Sequence, residues 1–354
     1  MDKNYSPPYN VTPAIISLVA RISEIIGRFS ALEDTSKKIR LRRANRIRTI
    51  HGSLAIEGNT LSVEQVTAVL DGKRVIAPPR EILEVKNALV AYELAPRWKP
   101  HSIKDLLNAH RVLMTDLLDD AGKLRTGGVG VMAGRTLVHM APPADRVHYL
   151  INDLLRWIKT TVQHPLISSS VFHYEFEFIH PFKDGNGRIG RLWQSLILCG
   201  WNPIFAAVPV ESLVYEHQAD YYAALNKSTK NGESSVFIEF MLNMILDALK
   251  LFSTPEVAPQ VTPEVKKMLL ALTGEMSRKE IQQKLGLKDE KHFRKAYLHP
   301  ALDKGLIEMT VPDKPNSRLQ KYRLTEKGSA MADINHYGKK ITRRNLLPIC
   351  CHKF

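Results

Sequence analysis

Cysteine is scarce. The 354 residues hold three, Cys199, Cys350 and Cys351, the last two adjacent. Three thiols cannot build a disulfide framework, so a small stapled secreted scaffold is excluded and a reducing cytoplasm is the expected compartment. Long apolar runs are missing too: the most apolar windows, about 192–201 and 236–252, are short or broken by Gln, Glu, Asn and Asp, and no membrane-spanning helix is expected. The opening MDKNYSPPYN has no basic-then-apolar layout, so no secretory leader is expected either. With only 19 Gly and 20 Pro, the chain is neither collagen-like nor of low complexity. Hydrophobic residues at 44% and charged residues at 24% make a globular composition, long enough for two or three domains with a real core.

Acidic residues are in deficit, 36 against 50 basic, for a net charge of +14. The excess is uneven. Residues 255–354 carry 20 Lys/Arg and 11 Asp/Glu, a net of +9, while the first 254 residues carry 30 and 25. A basic C-terminal quarter is one mark of a nucleic-acid-facing module and equally fits a solvated surface. A second basic run, Lys37 to Arg48, is interleaved with Ile39, Leu41 and Ile47 and reads as the exposed side of an amphipathic helix.

Helical periodicity dominates the rest. Ile15, Leu18, Val19, Ile22 and Ile26 form one apolar stripe, predicting a helix over about 12–33. Further helices are expected at about 36–57, 80–92, 103–118, 144–161, 166–179, 188–200, 215–227 and 236–251. Between Gly122 and Pro143 the pattern changes: β-prone Val129–Val131 and Thr136–Met140 flank Ala133-Gly134-Arg135, predicting a hairpin. Pro255, Pro259 and Pro263 punctuate a linker. Beyond it lie a helix over about 263–273, a second opened by the capping box Ser277–Glu280, a third over about 288–303, and two β-like stretches, Ile307–Val311 and Gln320–Leu324. Three helices and a hairpin are the layout of a winged helix-turn-helix.

The chemistry concentrates in twelve residues, His180-Pro181-Phe182-Lys183-Asp184-Gly185-Asn186-Gly187-Arg188-Ile189-Gly190-Arg191. Pro181 ends the preceding helix and leaves His180 at its edge. Gly185 and Gly187 are expected to take positive φ, so that successive N–H groups converge on an anion. The next helix begins there and points its positive dipole end at the same spot. Arg188 and Arg191, three apart, share one side of that helix. A base, a carboxylate, an amide nest and two guanidinium groups suit a polyphosphate with Mg²⁺ and a proton-bearing nucleophile. An ordinary Asp-Gly/Asn-Gly turn explains any fragment of the segment but not the whole.

This segment resembles, without a departure, the Fic family signature His-x-Phe-x-(Asp/Glu)-Gly-Asn-Gly-Arg-x-x-Arg, and Phe172–Ile179 resembles the helix before it. The resemblance covers about residues 45–250. It implies an all-α Fic core with a small β-hairpin flap, transferring AMP from ATP to a protein Ser, Thr or Tyr hydroxyl with release of pyrophosphate. By the same resemblance His180 is the general base, Phe182 anchors the loop, and Asp184 holds Mg²⁺. Gly185, Asn186, Gly187 and Arg188 cradle the α- and β-phosphates, and Arg191 grips the γ-phosphate. Gly187 favours nucleotide over phosphate transfer, since phosphotransferase relatives carry Lys there. Residues 129–140 resemble the flap, which accepts the target protein as an added strand, with Leu137, Val138, His139 and Met140 covering nucleotide and target. Tyr221 and Tyr222 resemble the adenine-side aromatics, although as residues alone they read first as core.

Upstream, Ser53-Leu54-Ala55-Ile56-Glu57-Gly58-Asn59 resembles the family's inhibitory motif (Ser/Thr)-x-x-x-Glu-(Gly/Asn), in the class with an N-terminal inhibitory helix. The resemblance implies that Glu57 pairs with Arg191, in competition with the γ-phosphate. A helix stop at Glu57-Gly58 is the plainer account. The expected organisation is an N-terminal helical region 1–104 with the inhibitory helix at about 45–58, a core 105–251, a linker 252–262, a winged helix 263–330 and a tail 331–354. Three functions fit: a self-inhibited protein adenylyltransferase that also modifies itself, a de-AMPylase using Glu57 and His180, and a nucleotide-sensing DNA-binding regulator. The last rests on His292, Arg294, Lys295 and His299 of a recognition helix and Lys314, Arg318 and Lys321 of a wing; the same module could instead dock a protein. The oligomeric state stays open, a homodimer included.

Overall fold

A computed structural model describes residues 5–30, 35–133, 136–253, 263–287, 289–312, 317, 319–325, 328–329 and 351–353. The chain divides into two units, residues 1–254 with 347–354, and residues 255–346.

The first unit runs α1 (Pro13–Ser30), α2 (Thr35–Ile56), α3 (Val63–Leu70), α4 (Pro79–Leu94), α5 (Ile103–Leu113), β1 (Val129–Ala133), β2 (Thr136–Met140), α6 (Ala144–Thr160), α7 (Pro165–Ile179), α8 (Asn186–Trp201), α9 (Val210–Glu216), α10 (Gln218–Asn231) and α11 (Ser235–Ser253). At its centre α7 is buried on nearly every side, from Leu166 to Ile179, as a helix apolar all round must be. It packs along α8, with α6 and α11 against it and α1 against α11. The α1 stripe behaves as its spacing predicts, with Ile15, Leu18, Ile22 and Ile26 all buried. β1 pairs antiparallel with β2, with an irregularity between Val131 and Met132, and also with the short strand β6 (Cys351–Lys353), giving the order β2-β1-β6.

Several boundaries differ from the sequence expectation, each for a local reason. Asp116 adopts a positive φ of 57°, so α5 stops at Leu113 instead of 118. The helix expected over 215–227 is two, α9 and α10, meeting at His217. The short α3 was not anticipated, although Ser62 and Gln65 form a reciprocal capping box at its start. α8 begins at Asn186, two residues before the expected start at 188.

The second unit has α12 (Pro263–Ala271), β3 (Met276–Ser277), α13 (Arg278–Lys284), α14 (Glu290–Phe293), a π-helical segment Arg294–Leu298, α15 (His299–Asp303), β4 (Ile307–Met309) and β5 (Lys321–Leu324). Its sheet has the order β3-β5-β4 and its own core, including Val265, Ile281, Phe293, Ala301 and Tyr322. The Ser277–Glu280 capping box forms as expected, with both reciprocal bonds present. Helix, strand, two helices and two strands is the layout of a winged helix; the strand β3 is an addition to the expected hairpin. Lys314, Arg318 and, of the tail expected at 331–354, residues 331–350 and 354 lie outside the described residues. Among the described residues no helix is long and apolar enough to cross a membrane.

Candidate functional site

The bend between α7 and α8 is built from the inside out. His180 caps α7 with φ 49° and ψ 62°, a left-handed conformation uncommon outside glycine. Pro181 follows and cannot continue the helix. Phe182 is fully buried and stacks on His110 with ring centroids 3.7 Å apart and planes 4° from parallel. Asn186 then closes the loop on itself: the Phe182 N–H donates to Asn186 Oδ1 at 2.8 Å, and Asn186 Nδ2 donates to the Phe182 carbonyl at 2.8 Å. The side-chain amide of Asn186 is therefore a brace for the loop.

His110 supports the same loop from α5. Its Nδ1 accepts from the Gly122 N–H at 2.8 Å, which fixes the proton on Nε2, and Nε2 donates to the Asp184 carbonyl at 2.9 Å. Burial pushes its pKa down to about 4, so the ring stays neutral. Gly185 takes φ 85° at the start of α8, as the sequence required. Gly187 does not: it lies within the first turn of α8 and has no positive φ. Its need for a missing side chain is steric, because a Cβ there would overlap Glu57 Oε1 and lie 3.0 Å from Arg191 Nη1.

The His180 ring is nearly buried. Its Nδ1 lies 3.3 Å from the Glu177 carbonyl and 3.9 Å from Glu177 Oε2. A proton on Nδ1 donating to that carbonyl puts the lone pair on Nε2, the tautomer a general base needs. Glu177 is itself unusual. Its Oε1 is buried without a hydrogen-bond partner, and burial, reinforced by the charge of Glu57 and opposed by Arg191, pushes its pKa up to about 8. Burial thus favours its protonated form, the form that puts no negative charge beside the base.

One turn along α8, Arg188 is 5% exposed and lies between Glu84 Oε1 at 3.4 Å and Asp184 Oδ1 at 3.2 Å. Its Nε is buried with no partner. A buried orphan donor beside a loop amide nest is an invitation to an oxyanion. Asp184 Oδ1 also accepts from the Gly185 N–H at 2.6 Å, while its other oxygen is 3.6 Å from Arg80 and half-exposed. Among the described residues no three His, Cys, Asp or Glu gather round one point. Mg²⁺ ordinarily keeps several waters and takes one or two carboxylates plus phosphate oxygens, so Asp184 alone fits that ion when a polyphosphate supplies the rest.

The C-terminus of α2 reaches this place from far upstream. It ends in a Schellman cap: Asn59 N–H donates to the Leu54 carbonyl, Gly58 N–H to that of Ala55, and Gly58 takes φ 93°. The glycine stop and the functional motif are thus one structure. The cap leaves Glu57 facing Arg191, whose Nη2 is 2.7 Å from Glu57 Oε1. Arg191 also donates through Nε to Ser53 Oγ at 3.2 Å and through Nη2 to the Ser53 carbonyl at 2.9 Å. It is 2% exposed, against 31% for the Glu57 side chain. Burial alone would lower the Arg191 pKa; the neighbouring Glu57 charge outweighs it and holds the guanidinium firmly protonated. Farther up, Gly52 lets α2 press on α9: a Cβ there would sit 2.7 Å from the Glu211 backbone.

The remaining expected residues lie elsewhere. Tyr221 is 2% exposed, packed against Phe237 and hydrogen-bonded through its hydroxyl to His173 Nε2 at 3.2 Å. That packing matches the core reading its residue type favours. Tyr222 is half-buried, its hydroxyl 3.4 Å from the Ile56 carbonyl at the end of α2. Leu137, Val138 and His139 belong to β2, but their side chains lie outside the described residues; Met140 is exposed. Sequence reasoning missed His110, Glu177 and Glu84 altogether. The first two sit on helical faces where a core histidine and an ordinary surface carboxylate are the default readings, and only the fold brings them to the loop.

Comparisons with known proteins agree with this geometry. The model described as "Fic/DOC family" matches residues 100–198, and that of the "Filamentation induced by cAMP protein Fic-like, C-terminal domain" matches residues 263–325. A solved Fic family protein from Desulfovibrio desulfuricans G20 is 52% identical, with a TM-score of 0.68, over 92% of this chain and 99% of that one. The solved Fic-1 of Caenorhabditis elegans is 25% identical, with a TM-score of 0.57, over 67% of this chain and 71% of that one. Among curated relatives, the protein adenylyltransferase fic-1 of Caenorhabditis briggsae is 29% identical over 240 residues, 63% of this chain and 44% of that protein. The chain spans about half the length of the curated relatives it matches.

Proposed function

The chain belongs to the Fic family, and from that premise we propose that it is a protein adenylyltransferase held in check by its own α2. The observation that carries this reading is the bend itself: His180, Asp184, Arg188 and Arg191 on successive turns around a left-handed Gly185, with Arg191 already gripped by a carboxylate. Relatives named protein adenylyltransferases support the chemistry.

In this reaction Nε2 of His180 takes the proton of a target hydroxyl as its oxygen attacks the α-phosphorus of ATP. The bond to the β-phosphate oxygen breaks, pyrophosphate leaves, and AMP stays on the target. The N-terminus of α8, with the Asn186 N–H in its first turn, and the unpartnered Nε of Arg188 would stabilise the charge that develops. Asp184 would hold Mg²⁺, which when bound neutralises phosphate charge. Glu57 blocks this arrangement by occupying Arg191, the γ-phosphate's partner, from a position over Gly187. Intact-mass measurement of the purified Glu57→Gly chain after incubation with ATP tests the reading: an added AMP on Ser, Thr or Tyr is expected, and an unmodified chain refutes it.

Removal of AMP is the second reading. Glu57 Oε1 sits beside Gly187, where it could orient a water toward a phosphodiester. An AMP-modified substrate released by the wild type but not by Glu57→Gly would favour that reaction. The second unit adds a partner surface of its own: His292, Arg294, Lys295 and His299 are all exposed on one helical run, and duplex DNA is the partner their charge suits best.

A further inference from the structure

Arg125 lies in the segment between α5 and β1, outside every motif above, and it is 7% exposed. Its Nε donates to the His180 carbonyl at 2.7 Å, and Nη2 to the Ile179 carbonyl at 3.3 Å and the Pro142 carbonyl at 2.5 Å. Nη1 donates to the Gly127 carbonyl at 2.8 Å. Its own N–H donates to the Pro181 carbonyl at 2.9 Å. No carboxylate pairs with it among the described residues. A guanidinium buried on carbonyl dipoles alone needs all of those bonds.

The carbonyls it collects fall into two sets. Ile179 and His180 end α7, where the proline and the left-handed turn remove the usual donors, and where a cation complements the negative end of the helix dipole. Gly127 and Pro142 are the two feet of the hairpin, each two residues from a strand, β1 beginning at Val129 and β2 ending at Met140. One planar fork therefore ties both feet of the flap to the residue that bears the base. A lysine donates three hydrogens from one nitrogen and lacks the spread of the three guanidinium nitrogens that bond here.

We propose that Arg125 is the positioning residue that sets the height of the flap over His180, and hence of a flap-bound target hydroxyl over the base. The proposal rests on the adenylyl-transfer reading. Arg125 bonds with none of Asp184, Arg188 or Arg191, so its loss uncouples transfer from nucleotide binding. Misplacing a reacting group by about 1 Å costs on the order of 10²-fold in rate, and that is the scale expected.

The test uses the full chain carrying Glu57→Gly, with Arg125→Gln, Arg125→Lys or Arg125→Ala added. AMP transfer from labelled ATP onto the chain itself is measured at saturating ATP, and ATP binding is measured alongside. Expected are a fall of roughly 10²-fold in transfer in all three variants, ATP affinity within threefold of the parent, and partial recovery of Arg125→Ala in millimolar guanidinium. Transfer within threefold of the parent overturns the proposal. So does a loss of ATP binding in proportion to the loss of rate, which marks a merely structural arginine. Should Arg125→Ala fail to fold, Arg125→Lys carries the decision, because it keeps the buried cation and loses only the fork. A Glu57→Gly parent that transfers no AMP refutes the adenylyl-transfer reading itself, and the proposal falls with it.

Discussion

The bend at residues 180–191 and the tip of α2 at residues 53–59 meet at one guanidinium, yet they are held in opposite ways. The bend is anchored from all sides: Phe182 in the core, Asn186 across the loop, His110 on the Asp184 carbonyl, Arg125 on that of His180. The α2 tip has the Schellman cap, a Gln218 amide at 2.7 Å and the Tyr222 hydroxyl on its last carbonyl, and the Ser53 and Glu57 contacts to Arg191. Glu57 is also the more exposed partner of that pair. Elements that must move are drawn from the loosely held end of a structure. On the proposed reading the bend is the reacting frame, and the half-exposed Glu57 side chain, not the buried Leu54 and Ile56 behind it, is the part of α2 free to leave.

Four experiments would break or sharpen that contrast, and a fifth extends it to the second unit. The largest effect is expected inside the frame: His180→Ala in the Glu57→Gly chain should abolish self-modification, a loss of roughly 10³-fold on the scale of a removed general base. Persisting modification would assign the base elsewhere. Detaching the brake comes next. Glu57→Gly against wild type should raise labelling from ATP by about 10²-fold, because one broken buried ion pair is worth a few kcal/mol; equal labelling under matched conditions would mean Glu57 is only a helix stop. Gly52→Ala acts at a distance. The added methyl meets the Glu211 backbone at 2.7 Å, so α2 must lift, and labelling should rise by about tenfold with Glu57 intact, as one lost helix contact of ~1.4 kcal/mol implies. No rise would show that α2 can yield there without moving its tip.

The frame should also show itself in acid. His110 has its folded pKa lowered from 6.5 to about 4 by burial, so protons favour the unfolded chain. Its contribution is complete above pH 6.5 and disappears as pH falls toward 4, by roughly 3 kcal/mol. Urea midpoints across that window should drop in the wild type and drop less steeply in His110→Gln; parallel slopes would contradict a neutral buried ring. The smallest effect belongs to the second unit. With Arg294, Lys295 and Lys321 exposed, a short duplex should bind with a log-affinity against log-salt slope of about −3. No binding at low salt would leave that surface to another partner.

How much of this was legible beforehand follows physical lines. The α1 stripe, the hairpin strands and the capping box at Ser277 read directly, because periodicity and local hydrogen bonding are written over a few adjacent residues. The bend was legible as a motif, and Gly185 behaves as its turn demands. Apart from the Glu57–Arg191 pair, which the resemblance implied, bonds between residues far apart in the chain could not be read. Nothing near Leu124 marks Arg125 as the partner of His180, and nothing near Leu107 marks His110 as the stacking partner of Phe182. The positive φ expected at Gly187 is absent, and what the structure shows there is a close approach of Glu57, which the local sequence does not carry. Tyr221 lies on the inward side of its helix, a placement its sequence neighbours alone do not decide.

The vacancy at Gly187 constrains how such a protein can change. A Cβ there would meet the Glu57 carboxylate, and on the proposed reading the phosphates approach the same backbone, so a side chain would press on both guests alike. A screen for permanently switched-on variants should therefore recover changes at 52, 53 and 57 and leave 187 untouched, and any lineage that abandons regulation would shed the glutamate while the glycine endures.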